Sequence, residues 1–200
     1  MANIPEADRL MVVAWLLECL RPETPFVVLE LSGEQGSAKS STQSALRDLI
    51  DPNKSNLRTA PKQKDDVFIS ARNSHMVSFE NLSHLSADYQ DALCSLATGA
   101  GYATRTLYTN TDETTIELKK PIVLNGISIV VTAQDLLDRT LHIDLPMLQS
   151  VSTEADLADY WAANHAAAFT GLLDAFSSAL AHIDRVDLSG EKLPRMADFT

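Results

Sequence analysis

The spacing of apolar residues divides the chain into helical stretches and short buried runs. Apolar side chains recur every three or four positions in stretches that predict helices, and these lie at 7–20, 41–50, 66–73, 86–98 and 135–139. Ser86 is the expected N-cap of its helix. Continuous apolar runs typical of buried strands lie at 26–31, 76–79, 121–124 and 141–145. Helices and strands therefore alternate along most of the chain.

Three further segments complete the pattern. Residues 102–108 and 114–118 alternate as two strands of a hairpin. Residues 51–65 are polar and basic and predict a long surface loop, a length that usually accompanies function or disorder. Residues 154–183 are rich in alanine and helical, and we expect two helices divided near Phe169 or Gly171.

This order of elements predicts an α/β fold with a mainly parallel central sheet flanked by helices. We divide the chain into an N-terminal helix and connector (1–24), a core (25–150) and a small helical C-terminal region (151–200). The last residues carry no signal that ends a helix, which is compatible with a fragment of a longer protein.

Composition and charge narrow the class of protein. Of 200 residues, 45% are apolar and 22% charged, as in ordinary globular proteins. A net charge of −11 argues against a surface that binds nucleic acid everywhere, although an oligomeric ring can concentrate positive charge in its channel. Cys19 and Cys94 lie in helical patterns and are expected to be reduced core residues. No apolar stretch approaches a membrane span and no signal peptide begins the chain, so we expect a cytoplasmic protein.

The segment between the first strand and the following helix is the strongest chemical signal. Its residues are Gly33, Glu34, Gln35, Gly36, Ser37, Ala38, Lys39 and Ser40, with Ser41 directly after them. A strand, a glycine-containing loop and Lys-Ser opening a helix form the arrangement that binds nucleotide phosphates, because loop amides and the helix N-terminus attract anions. We expect Lys39 to reach the terminal phosphates of ATP and Ser40 to bind Mg²⁺. An ordinary strand-turn-helix connection is the alternative.

Ala38 stands where such loops usually have glycine. Alanine adopts a positive φ only at a cost. We therefore expect a right-handed helical conformation at Ala38 and a loop that still binds phosphate.

Hydrolysis also requires an acid near Mg²⁺ and a group that orients water. Glu80 follows an apolar strand, and the carboxyl ends of parallel strands line the ligand crevice, so we expect Glu80 to face the loop and share the Mg²⁺ site with Ser40. Asn81 beside it is a candidate for holding water or nucleotide. A single acid here implies either a double role for Glu80 or slow hydrolysis, and a solvent-facing Glu80 is the alternative.

Three residues further along the chain are also candidates for contact with phosphate. Asn125 ends a buried strand and can point at the γ-phosphate, or it can form an Asn-Gly turn with Gly126. Arg139 precedes a strand, where it can reach the phosphate of a neighbouring subunit or pair with a nearby aspartate. Arg105, on the strand before the hairpin, can touch phosphate or a partner, or can lie exposed on the sheet.

Taken together, these motifs resemble superfamily 3 helicases, and more narrowly the ATPase region of primase-helicase proteins of phages, plasmids and integrative elements. The resemblance covers residues 25–146. It implies an AAA+-related P-loop NTPase core in a ring, with a hexamer as one candidate size, and a hairpin directed toward a channel that holds DNA. It also implies that Glu80 is the acid of the second motif, Asn125 the sensor and Arg139 the arginine finger.

The function expected from these features is Mg²⁺-dependent ATP hydrolysis by the motor domain of a helicase-like DNA replication protein. Two alternatives remain at this stage. One is an ATP-binding assembly or scaffold protein with little turnover, which Ala38 and the lone Glu80 would suit. The other is a small-molecule kinase that uses the same loop, for which only residues 51–65 offer a basic lid.

Overall fold

A five-stranded parallel sheet forms the centre of the computed structural model, which describes residues 2–61, 63–99, 102–105, 113–116, 118–187 and 189–190. Its strands are β1 (Val28–Ser32), β2 (Arg58–Thr59), β3 (Val77–Leu82), β6 (Ile122–Gly126) and β7 (Thr140–Asp144). They lie in the order β2-β3-β6-β1-β7. All their pairings are parallel, so helices must return the chain from each strand to the next. The predicted α/β class is confirmed.

Helices cover both faces of this sheet. One face carries α1 (Arg9–Glu18), α2 (Lys39–Ile50) and α6 (Glu154–His182), and the other carries α3 (Lys64–Arg72), α4 (Ala87–Thr98) and α5 (Gln134–Leu137). Side chains alternate in direction along β6: Ile122 and Leu124 join the core on the α4 side, while Val123 joins the core on the α1 side. Continuous apolar runs in the sequence are the consequence of burial on both faces.

The predicted hairpin follows α4 as a separate two-stranded sheet. Strands β4 (Tyr102–Arg105) and β5 (Glu113–Ile116) pair antiparallel, with Arg105 opposite Glu113. The tip at 106–112 and the side chain of Arg105 lie outside the described part of the molecule. At the base, Lys119 donates from Nζ to the Glu23 carbonyl at 2.9 Å.

One sequence prediction about local structure was wrong in detail, and another was confirmed in position only. Residues 51–65 are not all loop, because β2 adds a two-residue edge strand beside β3. Ser86 does occupy the N-cap position of α4, but its side chain makes no capping hydrogen bond. The pattern of apolar residues predicts neither a two-residue edge strand nor whether the Ser86 side chain makes a hydrogen bond.

The C-terminal helical region is one helix of 29 residues rather than two. Gly171 lies inside it, and an added Cβ there would meet no atom within 4 Å. A helical glycine costs only about 1 kcal/mol, which packing on the rest of the molecule offsets. Leu172 is buried in the core, while most of the α6 surface is exposed.

The length of α6 also bears on the expectation of no membrane span. By length and composition alone the helical segment Glu154–Arg185 could cross a membrane, contrary to that expectation. A single such helix is weak support for a membrane protein, and α6 contacts both α1 and α2. The cytoplasmic location and the three-part division of the chain both stay predictions.

Candidate nucleotide-binding site

The loop between β1 and α2 is held in a compact conformation. Gly33 has φ +149° and Gly36 has φ +90°, values that L side chains rarely adopt. A Cβ on Gly33 would lie 2.6 Å from the Leu145 carbonyl oxygen and 2.7 Å from Ser37 Oγ. The Ser37 amide donates to the Glu34 carbonyl at 3.2 Å and closes the turn. Glycine at position 33 is therefore required by both conformation and close approach.

The prediction for Ala38 was wrong. Ala38 adopts φ 58° and ψ 32°, which is the left-handed region, directly before α2 begins at Lys39. Non-glycine residues pay about 1–2 kcal/mol for this conformation. The backbone of the loop thus follows the path expected with glycine at this position, and Ala38 is conformationally strained.

Lys39 folds back over the loop. Its Nζ donates to the carbonyl oxygens of Gly33 at 2.7 Å and Glu34 at 2.8 Å, and lies 3.4 Å from Ser37 Oγ. Partial burial lowers the pKa of the Lys39 amine from its ordinary value, because desolvation disfavours the charged form. The amine is turned inward at the cavity, where an anion would restore its preference for the charged form.

The predicted Mg²⁺ pair comes together in the structure. Ser40, in the first turn of α2, donates from Oγ to Glu80 Oε2 at 3.1 Å. Both residues line a cavity of about 600 Å³ whose wall is formed by Gln35, Gly36, Ala38, Lys39, Ser40, Ser41, Glu80, Asn81, Asn125 and Ile127. Glu80 therefore faces the loop, and the alternative in which it points away does not hold.

A hydroxyl and a carboxylate side by side fit the needs of Mg²⁺. This ion prefers oxygen ligands and is usually held by one or two protein groups together with substrate phosphates and water. Within the described residues, no cluster of three or more His, Cys, Asp or Glu side chains could hold a metal ion. Ser40 and Glu80 are the residues that would hold Mg²⁺, beside the lysine and loop amides that suit the phosphates.

Asn125 lies within β6 and is buried, so the alternative of an Asn-Gly turn does not hold. Its Oδ1 accepts from the Asn81 backbone amide at 2.8 Å. Asn81 adopts φ 56° at the point where the pairing of β3 with β6 changes register, between Phe79 and Leu82. The two residues that were proposed separately from the sequence thus form one contact at the cavity wall.

Three polar residues that sequence reasoning missed support the site. Gln43 of α2 is fully buried, and its Oε1 accepts from Asn125 Nδ2 at 2.6 Å. Glu30 of β1 is 1% exposed and accepts from the Val130 amide at 2.6 Å. An acid within an apolar strand run was a visible signal for Glu30, because buried charges need partners. A glutamine in a helix carries no such signal.

The third missed residue is Asn3, which ties the N-terminus to the loop. Its backbone amide donates to Thr42 Oγ1 at 3.0 Å, and its Nδ2 donates to the Ser37 carbonyl at 3.0 Å. Nδ2 also donates to the Pro146 carbonyl at 2.6 Å. The segment before α1 therefore contacts the loop through Asn3, and the segment after β7 contacts it through the Leu148 amide, which donates to the Gly36 carbonyl at 3.3 Å.

Glu30 also joins a polar network beneath the loop. Its Oε2 lies 3.4 Å from His142 Nδ1, and His142 Nε2 lies 3.1 Å from Ser32 Oγ. Ser32 in turn donates to Asp144 Oδ1 at 2.8 Å. Since Ser32 directly precedes Gly33, the start of the loop is fixed by side chains of both β1 and β7.

Arg139 does not join the cavity. It follows α5 at the opposite, amino edge of the sheet, where its carbonyl accepts from the Val28 amide at 2.9 Å. Its guanidinium Nε lies 3.8 Å from Asp135 Oδ2, which matches the ion pair weighed as the alternative. Within one chain the structure brings together Lys39, Ser40, Glu80 and Asn125, and it leaves Arg139 apart.

Comparison with known proteins identifies the family. A family model described as the actinomycete integrative conjugative element replication protein matches residues 1–200. The chain belongs to this family. Membership in this family confirms the prediction that the chain is a replication protein of a mobile element. A comparison with curated proteins found no match.

Two structures of the NrS-1 C-terminal region support the fold of this replication protein. The A form apo structure of the NrS-1 C-terminal region has a TM-score of 0.56 at 17% identity, covering 77% of this chain and 38% of that chain. An apo structure of NrS-1 residues 305–718 has a TM-score of 0.53 at 15% identity, covering 77% and 39%. A crystal structure of N-(4-(2-(thiazolo[5,4-c]pyridin-2-yl)phenoxy)phenyl)acetamide bound to JCV helicase has a TM-score of 0.49 at 15% identity, covering 94% of this chain and 53% of that chain. The chain spans about two fifths to one half of these structures.

Proposed function

We propose that this replication protein binds ATP with Mg²⁺ at the loop of residues 33–40 and hydrolyses it as the motor of a helicase-like assembly. The observation that carries the proposal is the convergence of Lys39, Ser40 and Glu80 on one cavity at the carboxyl edge of the sheet. A lysine, a hydroxyl and a carboxylate around a glycine-containing loop are what phosphate and Mg²⁺ binding requires.

Each residue has a defined task in this proposal. The backbone amides of the loop and the N-terminus of α2 bind the phosphates, and Lys39 leaves the Gly33 and Glu34 carbonyls to pair with a terminal phosphate. Ser40 and Glu80 hold Mg²⁺, which when bound neutralises charge that develops on the transferred phosphoryl group. Asn125 presents an amide group to the γ-phosphate or to the attacking water.

The assembly is part of the same proposal. Arg139 lies across the sheet from the cavity of its own chain, so it can stabilise a transition state only in a neighbouring subunit. A closed ring repeats one such contact between successive subunits. DNA in the channel of that ring is the expected partner, with the β4–β5 hairpin and the lysines at its base (Lys119 and Lys120) nearest to it.

Steady-state hydrolysis of ATP by the full chain tests the proposal. Hydrolysis should require Mg²⁺ and rise with single-stranded DNA, and Lys39→Ala should lower it by about 100-fold or more, the usual cost of removing one charge-stabilising group. Lys54→Ala, at an exposed lysine in the 51–65 segment, is the matched control and should leave the rate unchanged. Equal rates in the wild type and Lys39→Ala would contradict the proposal.

The same measurements separate the two alternatives. Tight binding of ATP without turnover, with or without DNA, would favour an ATP-dependent assembly protein. The single acid Glu80 is compatible with that outcome, because it implies slow hydrolysis unless Glu80 has a double role. Transfer of phosphate to a nucleoside or sugar rather than to water would favour a kinase. Both outcomes would contradict the motor part of the proposal while leaving phosphate binding intact.

A further inference from the structure

Behind the cavity, a series of hydrogen bonds links α2 to β3 and β6. It joins the side-chain amides of Gln43 and Asn125 and the backbone amide of Asn81. Gln43 is 0% exposed, and its Nε2 donates to Ser78 Oγ at 2.8 Å and to the Phe79 carbonyl at 3.1 Å. Its Oε1 accepts from Asn125 Nδ2 at 2.6 Å. Asn125 Oδ1 then accepts from the Asn81 backbone amide at 2.8 Å. The series therefore begins on the loop helix and ends at the residue after Glu80.

The direction of every bond in this series is fixed at both ends. Backbone carbonyl oxygens, such as that of Phe79, only accept, so Gln43 must turn Nε2 toward β3 and Oε1 toward Asn125. A backbone amide only donates, so Asn125 must turn Oδ1 toward Asn81. Both ends demand the same orientation of the Asn125 carboxamide. Reversing it would place two donors against each other at one end and two acceptors at the other.

Gln43 does not line the cavity, whereas Asn125 does. An asparagine Nδ2 carries two N–H groups, and Gln43 accepts one of them, which leaves the second for an oxygen in the cavity. If Gln43 were replaced by an apolar residue, Asn125 would lose one of the two partners that fix its rotation and would keep only the Asn81 amide. The buried glutamine and the Asn81 amide together set which atom of Asn125 a ligand meets.

We propose that Gln43 is a positioning residue that holds the Asn125 carboxamide with Oδ1 on Asn81 and one N–H directed to the nucleotide. The proposal rests on the proposed function for its effect on hydrolysis, but the orientation itself is a property of the chain without ligand. It also makes α2 a direct link between the phosphate loop and the two strands that carry Glu80 and Asn125.

Hydrogen exchange in the full chain without nucleotide tests the orientation. The Asn81 amide should be protected in the wild type, and Gln43→Met should speed its exchange by about 10-fold or more relative to β3 amides such as that of Phe79. Gln90→Met is the matched control. Gln90 is a second buried glutamine, on α4, with bonds to the Leu85 carbonyl and the Ala133 amide. That variant should leave the Asn81 amide protected.

A second variant covers the case in which Gln43→Met does not fold. Ser78→Ala removes one acceptor of Gln43 Nε2 with little change of volume. It should speed exchange of the Asn81 amide in the same direction by a smaller factor. Unchanged protection of Asn81 in whichever of the two variants folds would overturn the proposal.

A double-mutant cycle on ATP hydrolysis tests the consequence. Gln43→Met should lower kcat by about 10-fold and change KM by less than about 3-fold, because the proposal assigns the effect of Gln43 on the nucleotide to Asn125. In an Asn125→Ala background the same change should have no further effect on kcat. Additive losses would overturn the proposal. An inactive wild type would count against the proposed function, and the exchange result would still decide on Gln43.

Discussion

The two edges of the central sheet differ in what they bring together. At the carboxyl edge, Lys39, Ser40 and Glu80 meet around one cavity; Lys39 bonds the loop at 2.7–3.4 Å and Ser40 bonds Glu80 at 3.1 Å. At the amino edge, Arg139 lies beside Asp135 and contributes nothing to that cavity. In the register of the sheet, Arg139 lies four positions before Ile143, which is at the level of Asn125; this is about 13 Å at the usual rise of a strand.

Under the proposed function, the difference means that one chain carries the residues proposed to bind ATP, while the arginine proposed to act in hydrolysis lies at the other edge. Phosphate binding is therefore expected of a single chain, while rapid hydrolysis is expected only where the amino edge of one subunit meets the carboxyl edge of the next. Variants at the two edges should then separate binding from turnover.

Arg139→Ala should have the largest effect on that separation. Loss of an arginine supplied by a neighbour typically costs about 10³-fold or more in turnover, while ATP binding should stay intact. Arg72→Ala, at an exposed arginine that ends α3, is the control and should be silent. ATP hydrolysis and binding of a fluorescent ATP analogue measure the two effects.

A mixture of two inactive variants sharpens the same comparison. Arg139→Ala keeps an intact loop, and Lys39→Ala keeps an intact arginine, so a mixed assembly contains some complete sites. Hydrolysis should return when the two are mixed, although each alone is inactive. No recovery at any ratio would mean that Arg139 does not act in a neighbouring subunit.

Substitutions at two glycines test whether ATP binding at the carboxyl edge depends on the backbone conformation of the loop. Gly33→Ala places a Cβ 2.6 Å from the Leu145 carbonyl, so ATP binding should be lost and stability should fall by about 2 kcal/mol or more. Gly171→Ala, in open space within α6, should raise stability by about 0.5–1 kcal/mol. Urea denaturation measures both. A silent Gly33→Ala would show that the loop does not need its close approach.

Ala38→Gly should give the smallest change at the carboxyl edge. It relieves the left-handed strain at φ 58°, while glycine adds entropy to the unfolded chain, so we expect a net gain of about 0.5–1 kcal/mol. ATP affinity should stay within about 3-fold, since the backbone path is already that of a glycine. A marked loss of stability in urea denaturation would contradict the strain assigned to Ala38.

The parts of the site that follow one another in the chain could be predicted from sequence. Strand, loop, Lys39 and Ser40 are consecutive, and the position of Glu80 at a strand end follows from the rule for parallel sheets. Gln43 could not be found in this way, because its contact with Asn125 joins residues 82 positions apart. The positions of Asn125 at a strand end and Arg139 before a strand made them candidates for phosphate contact, and the family resemblance added the predicted roles of sensor and arginine finger.

Other differences have equally specific causes. The strand β2 is two residues long and is held by backbone pairing with Phe79 and Glu80, which leaves no side-chain pattern. The left-handed Ala38 is imposed by the loop around it against its own preference. The break expected near Gly171 does not occur, because the cost of one glycine is small beside the burial of neighbouring Leu172.

The central claim is that the residue 33–40 loop binds a nucleoside triphosphate through Lys39. Calorimetric titration of the full chain with a slowly hydrolysed ATP analogue and Mg²⁺ tests it most directly. We predict saturable binding in the wild type and a loss of at least about 30-fold in affinity for Lys39→Ala, the usual cost of removing one partner of a close charge pair. Absence of binding in the wild type, or equal affinity in both proteins, would contradict the claim.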